Sequence, residues 1–128
     1  MELSHVVDAN ELLGRFLTDR SYFSLTAVKP KAFEPTRGLT LSVQRVDGLT
    51  LDQIWELGRT DVIEKLQTNK TLYGVGEIKT STVLSQKLTI APDPPPCRHA
   101  NLLGWPAEKF KQIAITQELA AATKLILK

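Results

Sequence analysis

Four residue types that can do chemistry follow a proline run in the stretch "DPPPCRHANLLGW", residues 93–105. They are Cys97, Arg98, His99 and Asn101. On an extended strand His99 and Asn101 share a face, because alternate side chains point the same way. Histidine titrates near neutral pH, so His99 is a candidate acid or base and Asn101 a candidate ligand contact. The alternative is structural, since buried polar groups need partners and the pair could satisfy loop carbonyls after the prolines.

Neither a thiol nucleophile nor a metal site is indicated by the soft ligands of this chain. Cys97 is the only cysteine. On an extended chain its Cβ lies about 7 Å from that of His99, which is too far for a thiolate–imidazole pair. Cys97, His99 and His5 lack the spacing of a zinc site, and "LYGVGE" lacks the third glycine and helix of a dinucleotide fingerprint. The sequence therefore predicts no metal and no cofactor.

A second candidate group comprises charged residues at positions that alternation turns toward the core. In "LTLSVQRV" the strand period places Arg45 on the apolar side, and in "YGVGE" it places Glu77 beside Val75. An unpaired buried charge is expensive, so the simplest arrangement pairs Arg45 with Glu77. If His99 lay beside them, Arg45 and Arg98 would bind anionic oxygens while His99 and Glu77 served as acid and base. The alternative is a bulge that turns Arg45 outward.

Two capping boxes predict the helices that would frame these strands. Asp8 followed by Glu11 predicts an N-terminal helix. Thr50 followed by Gln53 predicts a middle helix that Gly58 ends. A further short helix could begin at Asp61, which would make one or two short helices in the middle of the chain.

The remaining elements are strands and one long helix. Alternating or apolar runs predict strands at residues 22–28, 39–46, 71–84, 87–92 and 97–104. Residues 106–128 predict a long C-terminal helix, with proline at its first position and apolar residues on two opposite faces. Such a helix is either buried between two layers or docks a second chain, for example in a homodimer.

This order of elements, spread over 128 residues, predicts one α+β domain with a mostly antiparallel sheet. The single cysteine, and the lack of an N-terminal leader or a long apolar run, favour a cytoplasmic protein that does not enter a membrane. The net charge of +2 comes from scattered basic residues, so a nucleic-acid partner is neither indicated nor excluded.

The sequence also resembles a group of small bacterial proteins. The resemblance spans residues 33–122 and rests on Phe33, "LSVQR", "YGVGE", "RHANLLGW" and the alanine-rich C-terminal segment. It implies a prokaryotic protein whose "LSV" and "RHAN" strands form the centre of the fold. It carries no activity and no functional residues with it.

These observations favour a small binding or protein-interaction domain that acts as a homo-oligomer or with a protein partner through its C-terminal helix. The absence of a catalytic motif, the moderate charge and the two-faced helix support this interpretation. The alternative is an enzyme that acts on a nucleotide, RNA or another phosphorylated substrate through the Arg45, Glu77 and His99 cluster.

Overall fold

A computed structural model describes residues 3–65 and 69–128 of the chain. Its centre is a six-stranded sheet with the spatial order β4-β5-β2-β1-β3-β6, in which every strand pair is antiparallel. The strands are β1 Leu12–Leu17, β2 Leu41–Arg45, β3 Gly74–Lys79, β4 Thr89–Pro92, β5 His99–Leu103 and β6 Lys124–Leu127. The helices are α1 Leu51–Leu57, α2 Thr80–Ser85 and α3 Lys109–Ala121, with a π-helical segment at Gly58–Glu64 and short 3₁₀ turns at Arg20–Tyr22 and Pro30–Phe33. The α+β class, the antiparallel sheet and the C-terminal helix are confirmed.

The predicted N-terminal helix is wrong, although its first contact forms. The Asp8 carboxylate accepts a hydrogen bond from the Asn10 amide at 2.8 Å, and the Asp8 carbonyl accepts one from the Glu11 amide at 2.9 Å. These bonds close a single turn, after which the chain extends into β1. Strand pairing on both sides of β1 outweighs the capping signal, because a capping box fixes only a helix start.

The middle helix begins as predicted and continues further than predicted. Thr50 and Gln53 form the reciprocal capping box. Gly58 does not end the helix: its φ of −62° is helical, and the chain passes directly into the π-helical segment. A Cβ at Gly58 would lie 2.8 Å from the Phe16 ring, so this glycine permits close contact between the helix and β1. The predicted helix start at Asp61 falls within this continuous segment.

The last helix is shorter than predicted because the chain turns back to form β6. The Thr123 hydroxyl donates to the Leu119 carbonyl at 2.6 Å near the end of α3. Beyond it, Leu125 pairs with Gly76 and Ile126 with Val75. The two-sided apolar pattern therefore extends over two elements: most of it lies in α3, and its last residues, Leu125 and Ile126, lie in β6 and point to opposite faces of the sheet.

The two faces of the sheet are covered unequally. One face carries the larger core, in which α3 and the Pro30–Phe33 turn bury residues such as Leu13, Val43 and Leu119. Full burial of an aliphatic or aromatic side chain contributes roughly 1.5–3 kcal/mol, so this face dominates the stability. The other face carries a smaller cluster of Phe16, Val46, Ile54 and Val75, which α1 covers over β1 and β3.

Because that cover lies over β1 and β3, the same face remains accessible over β2 and β5. Ser42 is exposed there, and His99 and Asn101 are half-buried. No helix in the described residues is long and apolar enough to cross a membrane.

Candidate functional site

A cleft of about 570 Å³ opens on the less covered face of the sheet. Ser42 and Gln44 of β2 and His99 of β5 form its polar floor. Its walls come from β1, from the π-helical segment and from the loop that holds Pro95 and Pro96. A volume of this size accommodates an organic molecule of several hundred daltons.

Gln44 gives the cleft a buried acceptor that has no partner. The residue is 5% exposed, and its Oε1 has no hydrogen-bond partner among the described residues. It lies between His99 on β5 and Gly14 on β1 in one cross-strand row, and all three residues line the cleft. A buried acceptor without a partner costs about 1–3 kcal/mol, so a bound donor at this position would recover that loss.

His99 is held between a carboxylate and a hydroxyl. Its Nδ1 lies 3.1 Å from the Asp93 carbonyl and 3.3 Å from Asp93 Oδ2, and its Nε2 lies 3.1 Å from Ser42 Oγ. The pairing of β4 with β5 produces this arrangement, since the Asp93 amide also donates to the His99 carbonyl at 2.9 Å. Asn101 Nδ2 donates to Asp93 Oδ2 at 3.1 Å and so fixes the carboxylate.

Arg15 is a cleft residue that the sequence interpretation missed. The β1–β2 pairing consists of Leu13 with Arg45 and Gly14 with Gln44, and beyond it Arg15 lies between the two strands. Its Nε donates to the Ala32 carbonyl at 2.7 Å and its Nη1 to the Ser42 carbonyl at 3.1 Å. Burial lowers the pKa of Arg15, yet a guanidinium keeps its charge at neutral pH. Alternation in "LLGRFL" places Arg15 on the same face as the buried Leu13 and Leu17, which is the face away from the cleft, so the strand pattern carries no signal for its position in the lining.

Of the two orientations left open for Arg45, the structure shows the core-facing one, but the partner of Arg45 is Glu11 and not Glu77. Arg45 is 3% exposed, and Glu11 accepts from its Nε at 2.6 Å and from its Nη2 at 2.9 Å. The Ser4 carbonyl accepts from Nη1 at 2.6 Å. The hydrogen bond from Arg45 to the Glu11 carboxylate raises the pKa of Arg45. Arg45 lies on the opposite face from the cleft and serves the fold.

The other predicted site residues are dispersed. Glu77 shares the cross-strand row of His99, but β2 and β1 separate them by about 14 Å, and Glu77 lies in a separate shallow depression beside Lys124. Arg98 Nη1 donates to the Arg45 carbonyl at 2.9 Å. The structure therefore does not bring Arg45, Glu77 and His99 together. Of the predicted residues, His99 lines the cleft and Asn101 supports it through Asp93.

The described part of the chain offers few residues for cysteine or metal chemistry. Cys97 is exposed and free. Within residues 3–65 and 69–128, no group of three or more His, Cys, Asp and Glu side chains is placed to hold a metal ion.

The exposed surface of α3 bears on the predicted protein partner. Phe110 is 70% exposed and Ile113 is 46% exposed. The prediction of a homo-oligomer or protein partner at this helix stays a prediction.

Comparison of the chain with protein-family models, with curated proteins and with solved structures finds no match. The function is therefore inferred from the cleft itself.

Proposed function

We propose that this protein binds a small organic anion of nucleotide size in the cleft beside Gln44. The unpaired, buried Oε1 of Gln44 carries the proposal. Buried polar atoms in folded proteins almost always have partners, and exceptions concentrate at sites that a ligand completes. A ligand that donates an N–H or O–H to this oxygen would satisfy it.

The charge of the lining supports an anionic ligand. Arg15, Lys65 and Lys70 line the cleft, against the two carboxylates of Asp61 and Asp93. The Asp93 carboxylate is held by Asn101 and lies against His99, so part of its hydrogen-bonding capacity is already used within the protein. Cationic groups around a partly enclosed cleft attract and orient phosphate or carboxylate groups.

The apolar part of the lining supports a ring. Phe16, Val62, Pro95 and Pro96 contribute flat or aliphatic surface to the walls, and the Tyr22 ring lies 5.7 Å from the Arg15 guanidinium. Ligand sites typically combine such surface with a few placed polar groups. A nucleoside monophosphate has all three matching parts: a ring, N–H donors for Gln44 and an anionic group for the cations.

Calorimetric titration with AMP, GMP, CMP and UMP tests this proposal. We expect at least one of them to bind, and the variant Gln44→Met to bind it about 10-fold more weakly, because one hydrogen bond is worth about 1–1.5 kcal/mol. Methionine keeps the length of the side chain without its polar atoms. Thr80→Val is the matched control, because Thr80 Oγ1 is also buried without a partner but does not line the cleft.

Binding that is lost in Thr80→Val as well as in Gln44→Met would reflect general destabilisation and would contradict the assignment to Gln44. Failure of all four nucleotides to bind would contradict the proposed ligand class.

A further inference from the structure

We propose that Ser42, His99 and Asp93 form a hydrolytic relay that cleaves a carboxylic ester on an acylated form of the nucleotide-sized anion that binds in the cleft. This inference rests on the proposed ligand site, because the same cleft has to hold the substrate. Its three side chains come from β2, from β5 and from the residue after β4, so the relay exists only in the folded sheet.

The hydrogen bonds assign a role to each ring nitrogen of His99. Nδ1 faces two acceptors, the Asp93 carbonyl at 3.1 Å and the Asp93 carboxylate at 3.3 Å, so this nitrogen carries the proton of the neutral ring. Nε2 is then unprotonated and accepts from Ser42 Oγ at 3.1 Å. A hydroxyl bonded to an imidazole that a carboxylate orients is the arrangement that activates serine nucleophiles on unrelated folds.

Accessibility fits these roles. Ser42 is exposed in the cleft, so its hydroxyl can reach a substrate. The side chain of His99 is 19% exposed, which shields the base while leaving it in contact with Ser42. Asn101 holds the Asp93 carboxylate in place from the other side.

Donors for a developing oxyanion lie at the same point. The β1–β2 pairing ends at Gln44, so the amide of Ser42 points toward the gap between the diverging strands. Arg15 reaches the carbonyl of Ser42 on that side from the core face of the sheet, so its positive charge lies next to β2 while its Nη1 and Nε donate to the carbonyls of Ser42 and Ala32. A backbone amide and a fixed positive charge are the groups that stabilise the tetrahedral intermediate of acyl transfer.

The reaction follows from these contacts. Ser42 Oγ attacks the ester carbonyl carbon while His99 Nε2 takes the hydroxyl proton, and the carbonyl electron pair moves to the oxygen. Collapse of the intermediate breaks the bond to the alcohol oxygen, which leaves with the proton from Nε2, and Ser42 is acylated. Water, activated by Nε2, then attacks the acyl carbon and releases the carboxylic acid, which restores Ser42 and His99.

Covalent labelling with a fluorophosphonate probe, read by peptide mass spectrometry, tests the relay. We expect the probe on Ser42, no label at that position in Ser42→Ala, and labelling at least about 100-fold slower in His99→Gln. Asp93→Asn should slow labelling less, because the backbone carbonyl of Asp93 still accepts from Nδ1. Ser81→Ala, at an exposed serine of α2, is the control and should label like the wild type. The rate of p-nitrophenyl acetate hydrolysis should be lowest in Ser42→Ala, next lowest in His99→Gln and least reduced in Asp93→Asn.

Titration of the same proteins with the nucleotides separates this inference from the ligand proposal. A nucleotide that binds the wild type should slow the labelling of Ser42, because it occupies the same cleft. If nucleotide binds but Ser42 is not labelled, or if His99→Gln labels as fast as the wild type, the relay is refuted and the ligand site stands. If Ser42 is labelled through His99 but no nucleotide binds, the relay stands and the proposed ligand class is refuted.

Discussion

Arg45 and Gln44 are neighbours on β2 that are both buried and point to opposite faces of the sheet. Arg45, 3% exposed, has an ion pair with Glu11 and a further bond to the Ser4 carbonyl. Gln44, 5% exposed, keeps an acceptor without a partner among the described residues. One polar side chain is satisfied within the fold, and the other is buried at the edge of a cleft.

The difference separates residues that stabilise the fold from those that are available to a ligand. The Arg45 face is closed by α3 and the Pro30–Phe33 turn, so a charge there had to find its partner within the chain. The Gln44 face is covered only in part, so a ligand from solution can supply the partner of a polar group there. Natural proteins accept such a loss of stability where a site requires it.

The largest expected change in the free energy of unfolding comes from breaking the ion pair between Arg45 and Glu11. Glu11→Gln removes the charge that pairs with Arg45 and should lower the free energy of unfolding by about 3 kcal/mol, because it leaves a buried guanidinium unpaired. Urea denaturation measures this. Glu56→Gln is the matched control: Glu56 pairs with Arg59 on the surface, where both side chains are more than half exposed, and its removal should cost less than about 1 kcal/mol. Equal losses in the two variants would contradict the structural role of the Arg45–Glu11 pair.

A gain in the free energy of unfolding is expected when Gln44, whose buried Oε1 has no partner among the described residues, is replaced. Gln44→Met replaces the unpaired amide by an apolar chain of similar length and should raise the free energy of unfolding by about 1 kcal/mol in the absence of ligand. Thr80→Val should stabilise the chain comparably, since it removes a buried hydroxyl that, like the Gln44 oxygen, has no partner in the part of the chain that the structure describes. A marked loss of stability in Gln44→Met would mean that the amide is satisfied within the protein, and the comparison with Arg45 would fail.

The smallest effect is expected far from both residues. Phe110→Ser, on the exposed side of α3, should change the free energy of unfolding by less than about 0.5 kcal/mol. Sedimentation velocity on the same two proteins tests the homodimer predicted from the sequence. A wild-type dimer that the substitution dissociates would support it, and a wild type that stays monomeric at high concentration would contradict it.

Four of the six strands, β2 to β5, lie within predicted strands, because alternation and apolar runs are local signals that the fold preserves. The predicted strand at residues 22–28 is wrong, since this segment holds a single bridge between Phe23 and Val28. The prediction from the sequence failed where pairing between distant segments of the chain determines the secondary structure. The Asp8 turn closes, but the Glu11 carboxylate pairs with Arg45 instead of completing the capping box, and β1 pairs with two neighbouring strands. Residues 124–127 continue the apolar pattern of α3, yet they form an edge strand against β3.

The lining of the candidate cleft could be predicted only in part, for the same reason. His99 is a candidate from the sequence alone because its residue type and its place on a strand are visible locally, and the structure places it in the lining. Ser42 and Asp93 carry no signal of their own, since an exposed serine on a strand and an aspartate before prolines are ordinary. Their relation to His99 depends on which strands flank β5, and strand order cannot be read from a periodicity.

Native mass spectrometry of the protein, purified gently from its own host, tests the central claim most directly. The account predicts a wild-type chain that carries a noncovalent anion of a few hundred daltons, and a Gln44→Met variant, prepared in the same way, in which a clearly smaller fraction of the chains carries it. A bound molecule present equally in both proteins, or a chain of bare mass in both, would contradict the claim that the unpaired amide of Gln44 marks a ligand site.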